Sequence, residues 1–257
     1  MINFPFYKFS PAGNTTVFLE GRKEDKKAIA HFCSLALGEE GVGGEQAGFV
    51  NLAERRLRMA GGEFCANACR AFGALLDFYE QEKDRRYFIH ISGMQSPVLL
   101  EVKGGVPEWD VTASFSDAGI RLMLYEGNRL LVELPGITHL LLEEKDFPEA
   151  DKIREIAKKL FAEHDLNKCA ASGVVWWRKK GASLEILPFV QVPRANTAMC
   201  EKACGSASIA LAAALGENAV KILQPSGESV EITRKKDKIS LSGPVRLVCA
   251  GQIWLPE

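Results

Sequence analysis

Residues 61–78 read GGEFCANACRAFGALLDF, and residues 199–216 read MCEKACGSASIALAAALG. In both stretches a cysteine, Cys65 or Cys204, is followed by small residues and then by an alanine- and leucine-rich run that predicts a buried helix. Small residues allow backbone amides to approach a ligand closely. The repetition indicates that the two stretches occupy equivalent places in a duplicated fold.

The segments after the two stretches also correspond to each other. A predicted helix, 69–80 or 207–215, is followed in each copy by a strand, a turn and a second strand. In an alignment of the two halves, YFIHISGMQSPVLLEV of the first half corresponds to VKILQPSGESVEITR of the second. We infer an internal duplication in which each copy takes about half of the chain.

The rest of the chain alternates between strand and helix patterns, with amphipathic helices predicted at 26–37 and 150–164. We therefore predict an α+β fold of two pseudo-symmetric domains, each mostly sheet, with a boundary near residues 104–119. The N-terminal domain takes residues 1–115 and the C-terminal domain residues 116–244. A closing strand in 245–257 would complete the N-terminal domain.

Composition narrows the class of protein. The chain has 257 residues, 47% of them hydrophobic, and a formal net charge of −1, which gives no basic surface for nucleic acid or an anionic membrane. Neither a secretory leader nor an apolar run long enough to span a bilayer is found in the sequence. We expect a cytoplasmic protein whose seven cysteines are reduced thiols.

A cysteine at the start of a helix lies where free N–H groups and the helix dipole favour negative charge, so its pKa is expected to fall from about 8.5 toward neutrality. With the two halves face to face, Cys65 and Cys204 would flank one cleft. One thiolate would remove the α-proton of an amino acid while the opposite thiol protonates the other face. The helix starts would stabilise the carbanion, so this racemase chemistry needs no cofactor.

Two other interpretations of the cysteines stay open. A buried cysteine often acts only as a small apolar side chain, and this is expected of Cys33, Cys169 and Cys249. The pairs Cys65-x3-Cys69 and Cys200-x3-Cys204 could together supply four thiols to a zinc ion. We predict no metal, because the two pairs are not equivalent in the duplication.

Several segments resemble the diaminopimelate epimerase-like family of cofactor-independent racemases and epimerases. They are residues 10–14 (SPAGN), 63–68 (EFCANA), 203–206 (ACGS), 224–227 (QPSG) and 243–245 (GPV). The resemblance implies that each domain forms a barrel-like sheet around a central helix, with Cys65 and Cys204 as the acid and base. It further implies that the substrate carboxylate is held by backbone amides, with Asn14 beside it; these amides belong to Ala66, Asn67, Gly205 and Ser206.

The substrate is suggested by departures from the epimerase pattern. The Glu-Arg pair that binds the distal end of diaminopimelate is replaced by Arg194-Ala195-Asn196. The chain is more similar to the histidine racemases of staphylopine-type metallophore biosynthesis, through EQAGF at 45–49, MAGGEFC at 59–65 and Glu201. In this resemblance Glu45 would bind an imidazole or another cationic group, and histidine is the expected substrate.

Other functions remain in competition with a histidine racemase. They are a diaminopimelate epimerase, an isomerase of the phenazine-biosynthesis type, and a non-catalytic small-molecule binder of the same fold. The aromatic residues around Trp176 and Trp177 suit either the interface of a homodimer or buried sheet positions. The sequence leaves these choices open.

Overall fold

The computed structural model of the protein describes residues 1–22, 25–116, 119–124 and 129–257. The elements of the first half, in chain order, are β1 (Ile2–Pro11), β2 (Thr16–Glu20), α1 (Lys26–Leu37), β3 (Gln46–Asn51), β4 (Arg56–Met59), α2 (Ala66–Glu80), β5 (Arg86–Ile91), β6 (Val98–Gly105) and β7 (Glu108–Ser116).

The second half follows with the same kinds of element. In chain order they are β8 (Arg121–Leu124), β9 (Arg129–Leu134), β10 (Ile137–Glu143), α3 (Ile153–Glu163), β11 (Ser172–Lys180), β12 (Ser183–Val192), β13 (Thr197–Cys200), α4 (Gly205–Leu215), β14 (Ala219–Leu223), β15 (Ser229–Lys235) and β16 (Lys238–Leu255). Short 3-10 turns cover Leu166–Lys168 and Pro193–Ala195.

The strands of the first half close into a barrel. Strands β1 to β7 pair in sequence order, and β16 pairs with both β7 and β1 to complete a ring of eight. Helix α2 contacts β1, β2, β5, β6, β7 and β16, so it lies inside this ring. Twelve residues of α2 are buried. Most of them are apolar, with many alanines and leucines, because the surrounding ring of strands covers the helix on all sides.

The second half repeats this order strand by strand. In each half an antiparallel pair leads through a helix to a parallel neighbour and its antiparallel partner. The chain then passes through the central helix to a strand parallel to that partner, followed by two antiparallel strands. Strand β13, which pairs with β12, has no counterpart among the described residues of the first half. Helix α4 contacts β9, β10, β14, β15 and β16 and takes the place of α2. The predicted α+β fold with two pseudo-symmetric halves is confirmed; the exact division at residues 115 and 244 stays a prediction.

Strand β16 links the two halves. Residues 238–242 pair with β15, whereas residues 245–255 pair with β1. The predicted closing strand is thus part of one long strand that starts in the second half and ends in the first. Strand β7, which pairs with β16, lies within the segment predicted as a boundary, because its alternating apolar residues were not recognised as a strand.

The two central helices start earlier than predicted. The predicted starts were Cys69 and Ala207, but α2 and α4 begin at Ala66 and Gly205, directly after Cys65 and Cys204. Both cysteines have extended backbone angles and are N-cap residues. The polar Asn67 and Ser206 in the first turns concealed the helical periodicity at these positions.

Candidate active site

A cleft of about 620 Å³, its open mouth included, lies between the two halves. Both N-cap cysteines line it, together with the first residues of the two central helices. Strand β12, the 3-10 turn after it and β13 form the opposite wall through Val192, Ala195 and Met199. The fold therefore brings Cys65 and Cys204 to one cavity, as the duplication predicts.

The N-termini of α2 and α4 pack directly against each other. Asn67 Nδ2 donates to the carbonyl oxygen of Ala203, and Asn67 Oδ1 accepts from the buried Arg70. A Cβ on Gly205 would lie 2.9 Å from Asn67 Oδ1 and 3.0 Å from the Cβ of Ala66, so only glycine allows this approach. The amides of residues 66, 67, 205 and 206 are those that a helix leaves without an intrahelical partner. Two sets of N–H groups are thus concentrated at one place.

Cys65 has neutral partners. Its sulfur accepts from the Ala68 amide at 3.3 Å, and its thiol donates to Gln46 Oε1 at 3.0 Å. The orientation of Gln46 is fixed because its Nε2 donates to Asn14 Oδ1 and Thr16 Oγ1. A fixed acceptor for the S–H group favours the protonated thiol.

Cys204 has a carboxylate beside it. Burial and the charge of the nearby Glu201 carboxyl group raise the pKa of the thiol, and Ser206 Oγ lies 3.4 Å from the sulfur. The backbone amide of Cys204 donates to Gln224 Oε1, and Gln224 Nε2 donates to Ser208 in α4. Cys204 is only 3% exposed, and Glu201 is partly buried.

The expected lowering of the thiol pKa values is wrong for this structure. Burial raises the pKa of Cys65 to about 12. The hydrogen bond from the Ala68 amide lowers this pKa, but the charges of Glu201 and Glu63 add to the rise. Burial likewise raises the pKa of Cys204 well above its usual value, and Glu201 adds to the effect. Two helix starts do not outweigh desolvation and nearby carboxylates, so both thiols are protonated before a substrate binds.

Three carboxyl groups line the cleft: Glu45, Glu63 and Glu201. Burial raises the pKa of Glu63 to about 6 and of Glu201 to about 8, and it also raises the pKa of Glu45. Glu45 Oε1 and Glu63 Oε2 are buried and find no hydrogen-bond donor among the described residues. Both oxygens are enclosed by the protein, so each needs a donor that the described residues do not supply.

The predicted substrate-binding residues fall into two groups. Glu45, Asn67, Gly205 and Ser206 line the cleft, whereas Ala66 is packed against Gly205. Asn14 lies behind the cleft wall, where its Nδ2 donates to Glu45 Oε2 at 2.9 Å. The Lys202 amide donates to the same oxygen, so Glu45 is held by both halves of the chain.

Four residues in or beside the site were not among the predicted site residues: Gln46, Glu63, His139 and Gln224. His139 is fully buried, its Nε2 lies 2.9 Å from Ser206 Oγ, and burial lowers its pKa to about 3. Glu63 and Gln46 lie within the segments that carry the resemblance, so their position was an available signal. The roles of His139 and Gln224 depend on contacts between strands and helices that are distant in the sequence.

The remaining cysteines lie apart from this chemistry. Cys69 is buried within α2 and Cys200 is exposed on β13. Cys33 is buried as expected, Cys169 is partly buried, and Cys249 is exposed, so the core prediction is wrong for Cys249. Within the described ranges, no three or more His, Cys, Asp or Glu side chains are grouped so as to hold a metal ion.

Solved structures with this fold are racemases and epimerases among others. A protein described as a predicted epimerase from Pseudomonas aeruginosa matches 98% of this chain and all of its own with a TM-score of 0.70 at 12% identity. A hydroxyproline epimerase from Agrobacterium vitis, solved with trans-4-hydroxy-L-proline, matches 98% of this chain and 92% of its own with a TM-score of 0.63 at 11% identity. The chain shares its fold with these two proteins and with a phenazine biosynthesis protein of the PhzF family from Bacillus anthracis, which matches with a TM-score of 0.68 at 11% identity.

The sequence identifies the family within this class. A family model described as the histidine racemase CntK N-terminal domain matches residues 3–254. A histidine racemase from Fusobacterium nucleatum subsp. nucleatum (strain ATCC 23726 / VPI 4351) is 27% identical over 262 residues, which cover 97% of both chains. The chain belongs to the histidine racemase CntK N-terminal domain family, and it is an amino-acid racemase.

The structure bears on two further predictions, which concern a membrane-spanning segment and the positions of Trp176 and Trp177. None of the described helices combines the length and the apolar character needed to cross a bilayer. Trp176 and Trp177 are 2% and 4% exposed, so buried sheet positions account for them within one chain. The homodimer and the cytoplasmic location stay predictions.

Proposed function

We propose that the protein racemises free histidine by a two-base mechanism in which Cys65 and Cys204 exchange protons with the α-carbon, without a cofactor. The observation that carries the proposal is that both cysteines are the N-cap residues of a central helix and line the same cleft. The named histidine racemase that matches 97% of the chain supports the choice of substrate.

The charges of the cleft favour a substrate with a cationic or N–H-bearing side chain. Its lining includes three carboxyl groups and, among the described residues, neither lysine nor arginine. The unpartnered oxygens of Glu45 and Glu63 could accept from the α-ammonium and the imidazole. Diaminopimelate is disfavoured, because its distal carboxylate would meet these acidic groups without a cationic partner.

The mechanism starts from two protonated thiols. Glu201, whose pKa is about 8, takes the proton of Cys204. The Cys204 thiolate then removes the α-proton, and the electrons of the C–H bond move into the substrate carboxylate. The Cys65 thiol, which faces the cleft from the other half, donates its proton to the opposite face of the α-carbon. Inversion leaves Cys204 protonated and Cys65 as the thiolate, which serves the reverse reaction.

The helix starts have their largest effect in the transition state. Negative charge on the carboxylate grows when the α-proton leaves, and the first-turn amides of α2 and α4 are already oriented before this happens. The contact between Asn67 and Ala203 holds the two helix ends at a fixed separation. The cost of reorienting donors during the reaction is thereby avoided.

The proposal is tested with purified protein and a panel of L-amino acids that includes histidine and diaminopimelate, in deuterium oxide. We expect histidine to lose optical rotation and to acquire α-deuterium with the highest kcat/KM of the panel, with no effect of a metal chelator. The control is the double variant Cys65→Ala/Cys204→Ala, which should do neither. Turnover of another amino acid alone would overturn the substrate but not the chemistry; absence of all turnover would overturn both.

A further inference from the structure

A second cavity lies outside the first barrel, at the back of the cleft wall. It measures about 920 Å³ with its open mouth included. The basic side chains that line it come from three separate places: β4 and its neighbour β5, the start of α1, and the 3-10 turn Pro193–Ala195. They are Arg56, Arg58, His90, Lys26 and Arg194. None of the described residues that line the cavity is acidic.

This concentration of positive charge differs from the rest of the chain. Lysine and arginine number 32 and aspartate and glutamate 33 over the whole sequence, so an even distribution would place acidic groups among these basic ones. Two described carboxylates near the cavity are engaged with other groups. Asp25 caps α1 by accepting from the Ala28 amide, and Glu54 Oε2 lies 3.5 Å from Arg56 Nε. Arg56 is therefore partly neutralised, whereas Arg194 and Lys26 line the cavity and no acidic residue stands beside them among the described residues that line it.

The arrangement follows from the strands that carry the basic residues. Arg56 and Arg58 alternate with the buried Leu57 and Met59 on β4, so both point away from the barrel interior. His90 pairs with Arg56 across the two strands and is exposed. The partly exposed Met94 supplies apolar surface between the charges, and the buried Ile29 and Met59 lie beneath it.

The cavity and the cleft share their walls. Ala60 lines both, and Gly61 separates them, since a Cβ there would lie 2.7 Å from Glu63 Oε2. In the 3-10 turn, Ala195 lines the cleft and Arg194 lines the cavity. A ligand in the cavity would thus contact one wall segment from each half of the chain.

We propose that this cavity binds a small phosphorylated molecule with an apolar or aromatic body. A phosphate monoester carries about two negative charges at neutral pH, which suits a group of separate cations better than a single carboxylate does. Arginine side chains bind phosphate oxygens through paired N–H donors. The apolar surface between the charges would contact the body of the ligand, as in most small-molecule sites.

The test is calorimetric titration of the full chain, without histidine, using AMP and phenyl phosphate as probes. Adenosine and phenol are the matched uncharged compounds, and inorganic phosphate lacks the body. We expect at least one phosphorylated probe to bind once per chain, more tightly than inorganic phosphate and far more tightly than its uncharged counterpart. Affinity should fall about tenfold in Arg194→Gln and recover in part in Arg194→Lys.

The matched control is Arg246→Gln, which removes an exposed arginine from β16 outside the cavity and should leave the affinity unchanged. Failure of both phosphorylated probes to bind the native chain overturns the proposal. So does equal binding to the native chain and to Arg194→Gln, or equal affinity for inorganic phosphate and the two esters. Because racemisation is not measured, these outcomes are independent of the proposed function.

Discussion

The first turns of α2 and α4 hold equivalent positions in the two halves, yet they present their thiols to different partners. Cys65 contacts the neutral amides of Ala68 and Gln46. Cys204 lies near the carboxyl group of Glu201, whose charge adds to burial in raising the pKa of the thiol, and its neighbour Ser206 hydrogen-bonds with His139. The second half has a longer connection before its cysteine, and this connection contains β13 and Glu201. Duplication placed the two thiols opposite each other, and divergence of the connections made them chemically unequal.

The difference has a mechanistic meaning under the proposed function. A thiol that donates to a fixed amide oxygen is suited to give a proton, whereas a thiol beside a carboxylate is suited to lose one. The resting enzyme would therefore use Cys204 as the first base and Cys65 as the first acid. Four experiments test whether the two thiols differ in this way, in order of decreasing effect on kcat.

Replacement of either cysteine by alanine removes one of the two bases. We expect Cys65→Ala and Cys204→Ala each to lower kcat for histidine racemisation by at least about 10³-fold, because inversion needs a proton donor on each face. Proton NMR in deuterium oxide should show that residual α-hydrogen exchange is confined to opposite enantiomers in the two variants. Cys200→Ala, on the exposed face of β13, is the control and should keep native kcat. Residual exchange of the same enantiomer in both variants would contradict a two-base mechanism.

The contact between the helix ends is tested by Gly205→Ala. The new Cβ would lie 2.9 Å from Asn67 Oδ1, so the two sets of first-turn amides must move apart. We expect kcat to fall by about 10²-fold, the usual cost of misplacing groups by about 1 Å, while circular dichroism stays native. Gly105→Ala is the matched control, since a Cβ there meets nothing within 4 Å. Native kcat in Gly205→Ala would show that the spacing of the helix ends is unimportant.

The carboxylate beside Cys204 predicts the pH dependence. Glu201 has a pKa raised to about 8, so below that pH it is protonated and cannot accept the thiol proton. A profile of kcat/KM between pH 6 and pH 10 should therefore rise through about pH 8. In Glu201→Gln the rise should disappear and the plateau should fall by about tenfold or more, within the range of general-base effects. Glu217→Gln is the control. A rise that survives in Glu201→Gln would assign it to another group.

The smallest effect is expected at the amide beside Cys65. Gln46→Ala removes the acceptor of the thiol proton but leaves the Ala68 amide in place. One neutral hydrogen bond corresponds to about 1 kcal/mol, so we expect kcat to fall by a factor of about five. The rate of Cys65 alkylation by iodoacetamide should rise, since the thiol is less confined. Gln191→Ala, on β12, is the control. A loss as large as that of Cys65→Ala would make Gln46 part of the proton transfer itself.

Much of the fold could be predicted from local patterns. The alternation of strands, the helix Lys26–Leu37 and the duplication were all visible, because residues facing a barrel interior or an enclosed helix must be apolar at fixed periods. Strand β7 and the first turns of α2 and α4 were missed. In these turns the residue types suit ligand binding and close helix packing, so the helical periodicity of apolar residues is weak.

The candidate site was likewise predictable only in part. Cys65 and Cys204 could be selected because the same local pattern occurs twice, and Glu45 because of a resemblance. The groups around the thiols could not be identified in this way. Gln46 is positioned by the pairing of its strand with the strand that carries Thr16. His139 hydrogen-bonds with Ser206, which is 67 residues away in the sequence. Even the direction of the thiol pKa change was wrong, because it depends on total burial and on carboxylates from two separate segments.

The repeated pattern of residues was enough to predict the duplication, the helix that follows a cysteine in each copy, and the pairing of these two cysteines. The groups that surround each thiol, and the basic cavity behind the cleft, became known only from the folded chain. Burial and periodicity are imposed by neighbours along the chain, whereas the charge state of a buried thiol and the charge of a cavity depend on every group within a few ångströms, whichever segment carries it.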